Sequence, residues 1–249
     1  MALYLDGDLA GLADLRDHES GIFDLAKSAA IDLGAKLRLA WGEIGLEIER
    51  FLVRNGAAGE GAGLGHVVVT EPMRRSHALL TLALAFRDAC CSQGNDRYEQ
   101  RYRMFEALYR QSLSKAWESG VGIVAQPLRA PETPEVVREN GTGPVGAFYV
   151  RVSWINGLGQ ESAPSEALML EGNGSTRFMV RMRGHETYAT GWNVYAGESP
   201  ESVTRANERP LGLEESWVAA KEGRPEWGSP GEGQSAERWV REERRLRRG

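Results

Sequence analysis

The apolar residues of this chain change period near residue 145, and that change constrains the fold more than any single motif. Before it, Ile22, Leu25, Ala26, Ala29, Leu33, Leu37, Trp41, Ile44, Ile48 and Leu52 recur at steps of three and four. Such spacing lays one apolar stripe along a helix. After it, Phe148, Val150, Val152 and Trp154 alternate with Tyr149, Arg151 and Ser153. Phe178, Val180 and Met182 alternate with Arg177, Met179 and Arg181, and Trp192, Val194 and Ala196 share one side. A period of two marks half-buried strands. No single layer of structure satisfies both periods. The expected fold is α+β and multidomain: an N-terminal α-helical bundle, a small antiparallel β-sandwich, and a basic C-terminal tail.

Turn and cap residues divide the chain further. Residues 1–19 hold five acids and one Arg and read as an acidic, solvated N-terminal segment. Residues 20–125 read as the helical domain. Ser20 is placed to cap a helix through Arg54, with Gly34, Gly42 and Gly45 as the points where it would kink or split. Thr70 and Pro72 open a second helix to about Gln93. Asp96 and Glu99 have the spacing of a capping box for a third, which carries Tyr98, Tyr102, Phe105, Tyr109, Leu113 and Trp117 along one face and stops at Gly120. Residues 126–146, with Pro127, Pro131, Pro134 and Pro144, read as a linker. Residues 147–220 read as the sandwich. In 221–249, a Gly/Pro/Glu linker runs to Gln234, and a short basic helix follows it.

Catalytic and metal chemistry find little support in the sequence. Asp6-x-Asp8-x-x-Gly11 has the outline of a calcium loop, but Ala10 takes a ligand position and the closing Glu is missing. The glycines between Gly56 and Gly65 lack the Lys and the preceding strand of a phosphate loop. His18, His66, His77 and His185 have no metal-ligand spacing. No Gly-x-Ser-x-Gly elbow occurs, and the expectation is that the chain is not an enzyme and needs no cofactor. Cys90 and Cys91 are adjacent, so they read as two buried apolar residues rather than a disulfide. A net charge of −5 argues against general nucleic-acid binding. No stretch is apolar and long enough to span a membrane, and the acidic start is unlike a secretion signal.

The basic C-terminal segment is the candidate partner-binding site: Arg238, Trp239, Val240, Arg241, Arg244, Arg245, Leu246, Arg247 and Arg248. Its apolar members are suited to anchoring on an acidic protein surface, and its arginines to contacting passing DNA incidentally. The plain alternative is a solvated charge run.

Two resemblances extend this reading. Phe148-Tyr149-Val150-Arg151-Val152-Ser153-Trp154 with Asn156-Gly157-Leu158-Gly159-Gln160-Glu161-Ser162-Ala163-Pro164-Ser165 resembles a strand–turn–strand of fibronectin III and related Ig-like modules. It lies near the end of such a module, whereas here further strands follow, which implies a permuted order or a different sandwich. Thr190-Gly191-Trp192-Asn193-Val194-Tyr195-Ala196-Gly197, with Ser199-Pro200, resembles β-modules appended to virion proteins of tailed bacteriophages. Ser76-His77-Ala78-Leu79-Leu80-Thr81-Leu82-Ala83, Phe86-Arg87-Asp88, Asp96-Arg97-Tyr98 and the Tyr102–Tyr109 seam resemble head-to-tail adaptor (head-completion, or neck) proteins of tailed phages, over about residues 18–120. That resemblance implies a structural virion protein in the head–tail neck, assembled in the host cytoplasm. Its copies would form a ring, commonly of twelve, between the portal and the tail or nozzle proteins. The alternative is a host-surface or carbohydrate-binding Ig-like module on a helical oligomerisation stem.

Overall fold

The computed structural model describes residues 2–7, 9–93, 96–219 and 228–242. The chain is a mix of helix and antiparallel sheet and divides into two compact units. One comprises residues 7–123 and 236–249, the other residues 1–6 and 124–235.

In the helical unit, α1 (Leu12–His18) and α2 (Ile22–Ser28) precede α3 (Leu33–Arg54), α4 (Glu71–Gln93) and α5 (Asp96–Ser119). The long first helix expected from Ser20 is therefore interrupted, and not at its glycines. Ala30 takes a left-handed φ of 52°, the Ile31 N–H donates back to the Ala26 carbonyl at 2.8 Å, and Asp32 then caps α3 by accepting from the Ala35 N–H at 3.0 Å. A left-handed residue followed by a reach back of five positions is a helix stop, and the Asp that follows is a helix start. Residues 1–19 are likewise not a solvated segment. Leu3, Tyr4, Leu9, Ala10 and Leu15 are buried, because the acids are interleaved with apolar residues that find a core.

The core of this unit collects Leu15, Ile22, Leu25, Leu33 and Leu37 against Leu79, Leu82, Phe86 and Phe105, with Tyr98, Tyr102 and Tyr109 packed on it. Phe86 stacks on Phe105 at 5.5 Å and Phe51 on Trp117 at 4.7 Å between centroids. The aromatic seam of α5 is thus spent on packing. His77 is fully buried: its Nδ1 accepts from the Ala10 N–H at 3.0 Å, and its Nε2 is 2.8 Å from the Leu37 carbonyl, to which it donates. The ring ties the N-terminal segment to α3. Cys90 is half-buried, but Cys91 is exposed rather than buried.

Three short strands close the helical unit: β1 (Val67–Val68), β2 (Val121–Ile123) and, from the far end of the chain, a third strand at Arg238–Val240. Their order places β2 in the middle, with antiparallel pairing on both sides.

In the other unit, β3 (Glu135–Asn140), β4 (Val145–Asn156), β5 (Leu168–Asn173), β6 (Thr176–Arg181), β7 (Ala189–Gly197), β8 (Thr204–Arg205) and β9 (Trp217–Val218) form two antiparallel sheets, β3-β6-β9 and β5-β4-β7-β8. The strand at Arg238–Val240 is accordingly β10. The presumed 126–146 linker contains β3 and the start of β4, because the β-branched Val136 and Val137 suit a strand and pair with β6 despite the surrounding prolines. Both sheets feed one core, with Phe148, Val150, Val152, Trp154, Leu170, Phe178, Val180, Trp192, Val194 and Trp217 inside it. Trp154 pairs across the ladder with Trp192.

The Asn156–Ser165 motif has a local explanation. Asn156 Oδ1 accepts from the N–H groups of Leu158 and Gln160 at 3.0 and 2.9 Å and so closes the turn. The β4–β5 ladder ends at Val150↔Leu168, yet the edge of β4 stays covered. Ser165 Oγ accepts from the Val152 N–H at 3.1 Å and Ser162 Oγ from the Trp154 N–H at 3.0 Å, while the two serine N–H groups donate to the same residues' carbonyls. The hydroxyls stand in for backbone carbonyls along a stretch that Pro164 keeps from being a regular strand.

Candidate interaction surface

Of the nine residues in the candidate C-terminal site, the structure places four; Arg244, Arg245, Leu246, Arg247 and Arg248 lie outside the described residues. The four belong to β10 and its end, where the sequence suggested a helix behind a loose linker. Val240 is buried opposite Val121, Trp239 lies opposite Gly122, and Arg238 lies opposite Ile123 and pairs with Glu60. The β-branched Val240 and the aromatic Trp239 suit a strand better than a helix. Two glycines shape the seat. Gly120 has a φ of +98°, and a Cβ there would stand 2.9 Å from the Val240 carbonyl oxygen; one at Gly122 would stand 2.7 Å from Ala236 Cβ and 3.5 Å from the Trp239 ring. The linker into this strand is also fixed at its end. Gln234 is buried, its Oε1 accepts from the Leu128 N–H at 2.6 Å, and its Nε2 donates to Gln126 O and Gln160 Oε1, both at 2.9 Å. Trp239 is 42% exposed, and Arg241 is exposed beside it.

A second open surface runs along α3, away from the core. Leu39, Leu46 and Val53 are 44%, 57% and 67% exposed. Glu43, Glu47, Glu49, Arg50 and Arg54 surround the last two. Glu47 and Arg50 pair at 2.9 Å. Burial, reinforced by the charges of Glu47 and Glu43, pushes the Tyr109 hydroxyl up to about 12. Sequence reasoning missed this surface because the α3 stripe was read only for its buried side.

In the sheet unit, Glu161 Oε1 accepts from Ser153 Oγ, Tyr195 OH and, at 3.2 Å, Asn193 Nδ2. Asn207 extends the network: its Nδ2 donates to Asn193 Oδ1 and its Oδ1 accepts from the Val194 N–H, each at 2.8 Å. Burial, then the bond and charge of Glu161, raise the Tyr195 hydroxyl above its ordinary range. Chemically this carboxylate is occupied in pinning the 157–165 turn onto β4 and β7. The would-be calcium ligand Asp6 is occupied too. It accepts from the Leu3 and Ala130 N–H groups at 2.7 and 2.8 Å, and burial raises its carboxyl despite those bonds; Asp8 lies outside the described residues. Among the described residues no cluster of His, Cys, Asp and Glu has a metal-binding arrangement, and no helix is long and apolar enough to cross a membrane.

Comparison of the chain with protein-family models gives no match, and neither does comparison with curated proteins.

Proposed function

We propose that the protein is a non-catalytic structural subunit of a tailed-phage virion, one copy in an oligomeric ring of about twelve that joins the portal to the tail. In this reading the helical unit builds the ring and the sheet unit decorates it. The two sheets around one core, with β3→β4, β5→β6 and β6→β7 each changing sheet, are consistent with an Ig-like sandwich.

The observation that carries the proposal is β10. It fixes an exposed Trp239 and Arg241 on the surface of the helical unit, held by a paired strand rather than by a loose chain. Tryptophan and arginine are the residues that most often dominate binding energy at protein interfaces. An acidic portal surface would complete the contact, with charge setting its register.

The test is co-sedimentation with purified portal particles. Full-length protein is expected to bind. Truncation after Glu242, which keeps β10, and Trp239→Ala are both expected to bind more weakly, with attachment of the full-length chain falling as salt rises. Binding of both variants at the full-length level would refute the proposal that this end of the chain is the attachment point.

A further inference from the structure

Helix α3 turns Leu37, Ala40, Ile44, Ile48 and Phe51 into the core. On the opposite side Ala35, Leu39, Gly42, Leu46, Glu49 and Val53 follow one another at steps of four and three. In a heptad frame these are a and d positions, with the large apolar Leu39, Leu46 and Val53 at every a and the small Ala35 and Gly42 at two of the three d positions, a pattern that lets one helix lie along another. The seam is open: its three large apolar residues are exposed, and nothing lies within 4 Å of where a Gly42 Cβ would be. An exposed apolar stripe of this length marks an interaction site.

We infer that the occupant of this seam is a second copy of the chain, with the two α3 helices side by side and parallel. Charge selects both occupant and direction. With Leu39 and Leu46 at a positions, Arg38 stands at g and Glu43 at e. Parallel helices bring g of one against e of the next heptad in the other, and these pairs set partner and orientation. Arg38 of each copy then meets Glu43 of the other. Neither residue has an ion pair among the described residues. Antiparallel helices bring e against e, setting Glu43 against Glu43 and Lys36 against Arg50, which disfavours that arrangement.

The small Ala35 and Gly42 at d positions let the helices approach, and Glu49 at the last d position penalises other registers. Two copies that present the same helix face to each other in parallel are related by a two-fold axis along the helix, an isologous contact that closes at two copies. The inference stands apart from the connector reading, since a two-copy contact does not by itself close a ring.

The test is the sedimentation mass of the full-length chain and its variants. Wild type is expected to exceed the 27.4 kDa of a single copy, and Leu46→Glu to fall to that mass with unchanged circular dichroism. Arg38→Glu and Glu43→Arg should each weaken association by roughly three- to tenfold, and the double variant should recover it. Wild-type protein at single-copy mass, or Leu46→Glu at wild-type mass, overturns the seam. A double variant no better than either single overturns the parallel arrangement. Portal co-sedimentation separates the two claims: a chain that assembles through α3 but ignores the portal upholds this inference and refutes the connector, whereas a single-copy chain that binds the portal does the reverse.

Discussion

Truncation after Gln234 tests whether the C-terminal segment is part of the fold. From the sequence, a basic segment behind a flexible Gly/Pro linker is expected to matter for attachment to a partner and to leave the melting curve nearly unchanged when it is cut away. The structure leads to the opposite expectation for stability. The cut removes β10, and with it the burial of Val240, worth about 2 kcal/mol. It also removes the ladder to β2 and the Glu237 N–H bond to the Ile123 carbonyl at 3.0 Å, each such bond contributing about 1 kcal/mol. The exposed Arg238–Glu60 pair adds little. Loss of about 3–5 kcal/mol from a unit of this size corresponds to a melting temperature lower by on the order of 15 °C. Calorimetry on three proteins decides the matter: full length, ending at Glu242, and ending at Gln234. The first two should melt together and the third well below them. A Gln234 truncation that melts with the full-length protein would refute the claim that β10 is part of the helical unit's structure.

Three further outcomes follow from the same geometry. Trp192→Ala removes a fully buried ring whose Nε1–H donates to the Gly212 carbonyl at 2.9 Å, and denaturant titration should show a loss of about 3–5 kcal/mol. Ser165→Ala leaves the Val152 N–H without its hydroxyl acceptor and should cost about 1–3 kcal/mol, while Ser165→Thr, which keeps an acceptor, should cost less. Tyr109 is held protonated to a higher pH when folded, at about 12 against 10. Its contribution is present below pH 10 and is lost as pH rises from 10 to about 12, so alkaline melting curves of Tyr109→Phe should fall less steeply there than those of wild type.

What the sequence made legible followed from periodicity. The α4 and α5 boundaries, the aromatic seam and the inward side of β4, β6 and β7 are all local consequences of spacing, and one residue's shift in a strand would have turned Trp154 and Trp192 outward. What it hid depended on contacts between distant residues. Near Arg238 only the strand preference of Trp239 and Val240 hints at a strand, since its partners Val121 to Ile123 lie more than a hundred positions earlier and its seat is made by Gly120 and Gly122. The same holds for Asp6, whose acceptor role depends on Ala130, and for Leu128, buried inside a stretch that looked like a linker. The break before α3 was missed for another reason: Ala30 is a residue type that ordinarily continues a helix. The α3 seam was present in the sequence as a second heptad spacing, masked by the stronger stripe that faces the core.

The path of the chain also fixes an order of events during synthesis. Strand β2 leaves the ribosome directly after α5, but β10, which covers its other edge, follows only after all of residues 124–235. Through that interval one edge of β2 has no partner from its own chain, and an unpaired edge is a template for pairing with another. Its brevity, three residues with a glycine in the middle, limits that hazard. The helical unit can therefore be completed only after the inserted sheet unit has been synthesised, and the strand that completes it is the one that carries Trp239 to the surface.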